Sequence, residues 1–187
     1  TTAPTAQYAS DSTPAATQSS TSILVNITML DALSGNAGIN IWIYNSSNNA
    51  LVDSSSCGLT SFCAFTKNGL PSGTYFYNGS AQDNAGNFVY LAARTVTIDT
   101  TAPSGITFVA PTENDNLVFS RSWYYVNITF TETYPAACRL DNGTANITMT
   151  RAGNNCFINQ TSQSQGTYTY KVFVNDTAGN TASLSRT

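Results

Sequence analysis

One stretch of this chain is written twice. "SGTYFYNGSAQDNAGN" (Ser72 to Asn87) aligns without a gap on "QGTYTYKVFVNDTAGN" (Gln165 to Asn180), an offset of 93 residues. Gly73, Thr74, Tyr75, Tyr77, Asp83, Ala85, Gly86 and Asn87 recur as Gly166, Thr167, Tyr168, Tyr170, Asp176, Ala178, Gly179 and Asn180, and Cys63 recurs as Cys156. "VNIT" at Val25 to Thr28 returns at Val126 to Thr129, an offset of 101, so the first copy holds about eight extra residues between these blocks. "TTAP" opens the chain and returns at Thr100 to Pro103. A chain with such a period has to build one structural unit twice. The unit is about 95 residues long, and two units are expected, at 1–99 and 100–187.

Each copy reads as short strands. "SILVNITML" alternates Ile23, Val25, Ile27 and Met29 against Leu24, Asn26 and Thr28, and "YYVNITF" alternates Tyr124, Val126, Ile128 and Phe130 against Tyr125, Asn127 and Thr129. That is period two, a strand with one buried face. "GINIWIY", "YTYKVFVND" and "RTVTID" read the same way, and no long window keeps a helical period. About seven strands per unit, with turn residues every 8 to 12, predicts an all-β chain of two tandem immunoglobulin-like sandwiches. "G-T-Y-x-Y" fits a tyrosine corner, in which the ring hydroxyl bonds back to the main chain. "D-x-A-G-N" fits a tight turn, with Asp closing an Asx turn and Gly and Asn accepting positive φ.

"DNAGN…TVTIDTTAP" resembles the junction between tandem bacterial immunoglobulin-like repeats of large cell-surface adhesins, and similar repeats of archaeal surface and extracellular filament proteins. The resemblance implies a stalk, coat or fibre element and leaves its binding partner open, since fold alone does not settle function. Junctions of this type often carry calcium, which would fall on Asp83, Asp99 and Asp176. Hard cations take six to eight oxygens. Each junction here offers one or two carboxylates, so the turn-forming reading of these aspartates is preferred.

Composition narrows the function. Only 9 % of residues are charged, against roughly 25 % in soluble domains, and the net charge is −3. Neither value fits a nucleic-acid or anionic-membrane partner. No stretch reaches the ~20 apolar residues of a membrane helix, and no signal peptide is visible. There is no histidine, so the usual general base is missing, and no carboxylate pair is placed for acid–base work. The expectation is no enzyme and no cofactor beyond calcium.

The four cysteines lie in a Ser/Thr/Asn-rich background without metal-ligand spacing, which favours disulfides and an extracellular, cell-surface setting. Four cysteines allow three pairings. Each repeat owns two, so Cys57–Cys63 and Cys138–Cys156 is the economical one. Eight N-x-S/T sequons occur, at Asn26, Asn45, Asn78, Asn127, Asn142, Asn146, Asn159 and Asn175, where roughly five are expected by chance. Asn26, Asn78, Asn127, Asn146 and Asn175 fall on the outward phase of their strands and are expected to carry N-linked glycans first. A sugar coat would also make up for a surface with few charges.

Copy one closes with "AARTVTID", in which Val96 and Ile98 point inward, whereas copy two reads "SLSRT" and shows no second "VTID". A sandwich lacking that strand has an open edge and an apolar groove. Either that strand belongs to a longer chain of which this is a piece, or another copy fills the groove by β-augmentation, and such a head-to-tail contact builds a fibre. The expected donor is the amino-terminal stretch, with Thr1, Thr2, Ala3, Pro4, Ala6 and Tyr8 as assembly residues. Its removal is expected to leave each unit folded. Trp123 and Tyr125, large aromatics where copy one has Ser22 and Leu24, are further contact residues or are covered by a loop. The resulting reading is a non-catalytic subunit of a surface filament, the alternative a stalk or ligand-binding fragment of an adhesin.

Overall fold

The computed structural model describes residues 2–187; Thr1, named above as an assembly residue, lies outside the described residues. The chain divides into two compact units, Thr1–Thr100 and Thr101–Thr187. Every helix or strand assigned among the described residues is a strand.

Unit 1 holds β1 (Thr5–Tyr8), β2 (Thr17–Gln18), β3 (Ile23–Leu30), β4 (Asn36–Asn45), β5 (Leu51–Gly58), β6 (Phe62–Lys67), β7 (Gly73–Asp83) and β8 (Phe88–Ile98). One sheet runs β1-β3-β6 and the other β2-β8-β7-β4-β5. The alternation in the sequence is the reason they face each other. Ile23, Val25 and Ile27 of β3 are fully buried, and so are Ile39, Ile41 and Ile43 of β4, with Tyr77 of β7 and Val96 of β8 between them. Side chains of this size each gain about 1.5–3 kcal/mol on burial, which holds the two faces together.

Unit 2 holds β9 (Ser104–Phe108), β10 (Tyr124–Thr131), β11 (Pro135–Asp141), β12 (Asn146–Thr148), β13 (Thr150–Ala152), β14 (Asn155–Gln160), β15 (Tyr170–Asp176) and β16 (Thr181–Arg186). Its sheets are β13-β14-β10-β9 and β12-β11-β15-β16. Val126, Ile128, Leu140, Val172 and Val174 form the fully buried centre. The architecture is that of an immunoglobulin-like sandwich in each unit. TTAP stands immediately before the first strand of each, β1 and β9, which is why the chain carries it twice.

Two local motifs take the same form in both units. The Tyr75 hydroxyl donates to the Pro71 carbonyl at 2.9 Å, and the Tyr168 hydroxyl to the Ser164 carbonyl at 2.6 Å, four residues upstream in each case. In the D-x-A-G-N turns Gly86 and Gly179 take φ of 86° and 92°, the left-handed region in which a side chain is strained. Asn87 and Asn180 keep negative φ and instead donate their side-chain amides to Asp83 and Asp176, both at 2.7 Å.

The amino-terminal stretch differs from its reading as a free donor. β1 pairs antiparallel with β3, and β2 pairs parallel with β8. Tyr8 sets its ring edge-on against Tyr77 at 5.3 Å and donates its hydroxyl to the Ala92 carbonyl at 2.9 Å. Its strand signal is weak because only Ala6 and Tyr8 face the core; the tertiary contacts of Tyr8 hold it there. The amino-terminal stretch is thereby part of unit 1's own sandwich, and a copy that gave it up would lose these contacts.

Candidate functional site

The two units differ most where β8 and β16 end. In unit 1, β8 continues past its midpoint, so that Val96, Thr97 and Ile98 pair with Tyr75, Thr74 and Gly73. In unit 2, β16 pairs only with Tyr170 to Asn175 of β15. Residues 165–169, strand-like in sequence, are left without a partner strand and are not strand. A groove of about 890 Å³ lies here, lined by Leu117, Val118, Phe119, Trp123, Tyr124, Tyr168 and Tyr170 among others.

The walls of the groove differ from the same place in unit 1. Tyr75 in unit 1 is 2 % exposed beside buried Val96, whereas its counterpart Tyr168 is only half-buried. The Tyr124 hydroxyl is shielded from water yet has no hydrogen-bond partner, and such a group costs about 1–3 kcal/mol until an acceptor or donor arrives. Copy one has Ile23 at this position, which asks for none. Burial pushes the Tyr124 hydroxyl pKa up, and that of Tyr170 to about 12 despite the nearby Arg186. Val118 is 97 % exposed and Leu117 53 %. Trp123 lies against the Arg121 guanidinium, 4.1 Å from the ring centre, with Phe119 at 4.2 Å from the same group. Tyr125 stacks on Phe157 at 6.3 Å, so it is covered from within its own sheet.

Leu117, Val118 and Phe119 were not singled out from the sequence. The signal was there: in the VNIT register they stand where copy one has Ala16, Thr17 and Gln18. Those residues adjoin β8, with the Thr97 amide donating to the Ala16 carbonyl. Three apolar side chains stand in their place in unit 2.

The disulfides are Cys57–Cys63 and Cys138–Cys156. Each links the two sheets of its unit: β5 to β6 in unit 1 and β11 to β14 in unit 2. The partners of the equivalent Cys63 and Cys156 thus sit on different strands, which is why Cys57 and Cys138 do not align.

Of the aspartates considered for calcium, the two in unit 1 stand apart. Asp83 ends β7 and Asp99 follows β8, at opposite ends of this strand pair and on the order of 30 Å apart at ~3.3 Å per residue. Asp83 and Asp176 spend their carboxylates on their own turns. Asp83 accepts the amides of Ala85 and Asn87, and Asp176 that of Asn180. The Asn87 side chain, ahead of these main-chain bonds, holds the Asp83 carboxyl below the usual carboxylate range. In unit 2 a Glu132 carboxylate oxygen lies within 4.8 Å of one of Asp176, a neighbour that sequence spacing does not suggest.

Two of the outward-phase asparagines are structural. Asn26 is only 7 % exposed and donates its side-chain amide to both Asp11 oxygens, at 2.9 and 3.0 Å. Asn127 donates to the Ala110 carbonyl at 2.7 Å and accepts from the Asn155 amide at 2.8 Å. The hydroxyls of Ser12 and Thr112 bridge the main chain of these residues in the same way. The repeated VNIT thus clamps the segment after the first strand in each unit. A sugar on either amide nitrogen would have to share a site already occupied by these bonds. The outward phase of these two residues leads to a covering segment rather than to solvent.

No protein-family model and no curated protein matches this sequence. Solved structures do match. The chain is similar to fibronectin type III-like modules of Clostridium thermocellum CbhA, at 14 % identity and a TM-score of 0.58, covering 97 % of this chain and 91 % of that one. It is also similar to three consecutive immunoglobulin domains of titin, at 13 % identity and a TM-score of 0.55, covering 99 % of this chain and 65 % of that one. These matches show the fold, tandem immunoglobulin-like or fibronectin-like sandwiches.

Proposed function

We propose that the chain is a non-catalytic, extracellular structural subunit of a cell-surface filament, joined head to tail to further copies through the groove of unit 2. The observation that carries the proposal is that groove: a trough in which Leu117, Val118, Phe119 and Trp123 stand, with Glu113, Arg121 and Arg186, beside residues 165–169, which are not strand. An extended segment laid there gains main-chain hydrogen bonds along residues 165–169 and covers Tyr168. It also brings a polar group to the orphaned Tyr124 hydroxyl. Two inter-sheet disulfides and a low charge density suit a passive element outside the cell. The proposed occupant is an extended segment of a second copy; the amino-terminal stretch expected from the sequence is engaged in its own unit by the β1–β3 ladder and the Tyr8–Tyr77 contact.

The test is electron microscopy and native mass measurement of the parent chain beside a Leu117→Asp, Val118→Asp variant. Both positions are largely exposed, so the variant should fold within about 0.5 kcal/mol of the parent. Long assemblies from the parent and single chains from the variant are expected. A monomeric parent would favour the adhesin-stalk alternative. Unchanged filaments from the variant would remove the groove from the assembly.

A further inference from the structure

Two of the eight sequons run into turns, and the turns are equivalent. Asn45 is the last residue of β4, with Ser46 and Ser47 in the turn that leads to β5; Asn142 stands between β11 and β12. Each is the hairpin leaving the second core strand of its unit, though the two residues do not align in the 93- or 101-residue register. Their side chains are held alike. Asn45 Oδ1 accepts the Ser47 main-chain amide at 2.9 Å and the Ser47 hydroxyl at 2.7 Å. Asn142 Oδ1 accepts the Thr144 amide at 3.1 Å, the Thr144 hydroxyl at 2.9 Å and the Ala145 amide at 2.9 Å. These bonds all use the oxygen and leave Nδ2 for other chemistry.

The remaining six are placed differently. Asn26 and Asn127 have engaged amides, as described above. Asn78 lies on β7 and Asn175 on β15, strands paired on both sides, and the Asn78 Oδ1 is enclosed without a partner. Asn146 on β12 and Asn159 on β14 are exposed but lie in strands. Along a strand, residues i and i+2 share a face about 6.6–6.8 Å apart. In the two turns the amide and the hydroxyl of the sequon touch.

We infer that Asn45 and Asn142 are the sites of N-glycosylation, one on the corresponding hairpin of each unit. The inference rests on the extracellular reading above and names where its sugars sit. The co-reactant is an oligosaccharide carried on a lipid-linked phosphate, brought by a transferase. A bond forms between Nδ2 and the sugar C1 while the C1–O bond to phosphate breaks. The phosphate leaves with the electron pair, and the amide gives one proton to a base of the transferase. A transferase that reads Asn and the hydroxyl two residues on must reach both at once. A protruding turn presents them together without opening a sheet, and a strand does not. The attached sugars then stand beside the hairpin turns, where they add hydration to a surface with 9 % charged residues.

The experiment is glycopeptide mass spectrometry on the chain secreted from a host that N-glycosylates exported proteins. The expected result is highest occupancy on the Asn45 and Asn142 peptides. Asn45→Gln and Asn142→Gln should each remove one glycan, and the double variant should return to near the 19.9 kDa chain mass. Higher occupancy on any strand sequon than on either turn sequon would overturn the inference while leaving the extracellular reading intact. A bare parent chain would overturn this inference and the glycoprotein reading together.

Discussion

Single residues set tolerances that the repeat conceals. Gly79 and Val172 occupy the same place in the two copies, yet a Cβ at Gly79 would stand 2.3 Å from Ile27 Cδ1 and 2.8 Å from the Asn40 carbonyl oxygen. Main chain blocks one side and a buried isoleucine the other. Gly79→Ala should therefore destabilise unit 1 by about 1–3 kcal/mol, as overpacking does, measured by urea unfolding. Three carboxyls of unit 1 titrate below the usual range. Asp31 is held down chiefly by the Ser34 hydroxyl, Asp53 by Lys67 at 3.0 Å, and Asp83 by the Asn87 amide. Their folded pKa values are lowered, so their contribution is complete above the ordinary value of 3.8 and is lost as the pH falls below it. Stability should stay level from neutrality to about pH 4 and decline beneath; Asp83→Asn should remove part of that acid slope in a pH series of unfolding curves. At the other end, burial raises Tyr8 and Tyr170 from 10.0 to about 12. The unfolded chain then loses these protons first, and stability should fall between pH 10 and 12. Phenolate absorbance followed alongside unfolding checks this.

At the scale of elements, the two disulfides do the same work over different spans. Cys57–Cys63 closes a separation of 6 residues and Cys138–Cys156 one of 18. Loop-closure entropy assigns them about 2 and about 3 kcal/mol. Replacing both cysteines of a pair by serine should cost unit 2 more than unit 1, read as separate shifts in denaturant midpoint. The first strand behaves differently from what its letters imply. Deleting residues 1–20 removes β1 and β2 together with Tyr8, which contacts Tyr77. Loss of unit 1 signal in hydrogen exchange, with unit 2 protected as before, is the expected outcome. Retained protection on β3 would show that the strand is dispensable.

At the scale of the whole molecule, the proposed assembly is an apolar contact between chains of net charge −3. Screening at ~1 M salt shortens the Debye length to about 3 Å, which weakens ion pairs and leaves apolar burial intact. Filaments should therefore persist at high salt, followed by sedimentation. Disassembly on adding salt would point to Glu113, Arg121 and Arg186, charged groups lining the groove, as the true contacts.

The sequence by itself determined the repeat, the all-β class, the tyrosine corners, the D-x-A-G-N turns and the inward faces of the long strands. These depend on spacing along one chain and on residue types that tolerate a turn or a pleat, so they are legible in the letters. The pairing Cys57–Cys63 and Cys138–Cys156 was legible too, because each unit owns two cysteines. Tertiary structure decided what covers an outward face. Asn26 and Asn127 have the phase of surface residues, yet the segment after the first strand closes over them. Ala6 and Tyr8 carry little strand signal, yet the ring of Tyr77 and the Ala92 carbonyl seat Tyr8. Leu117, Val118 and Phe119 look like a loop, yet they line a groove, whereas their counterparts in unit 1 adjoin β8. Alternation says only which way a side chain points; whether it meets water, a neighbouring segment or an open groove depends on chain that is distant in sequence.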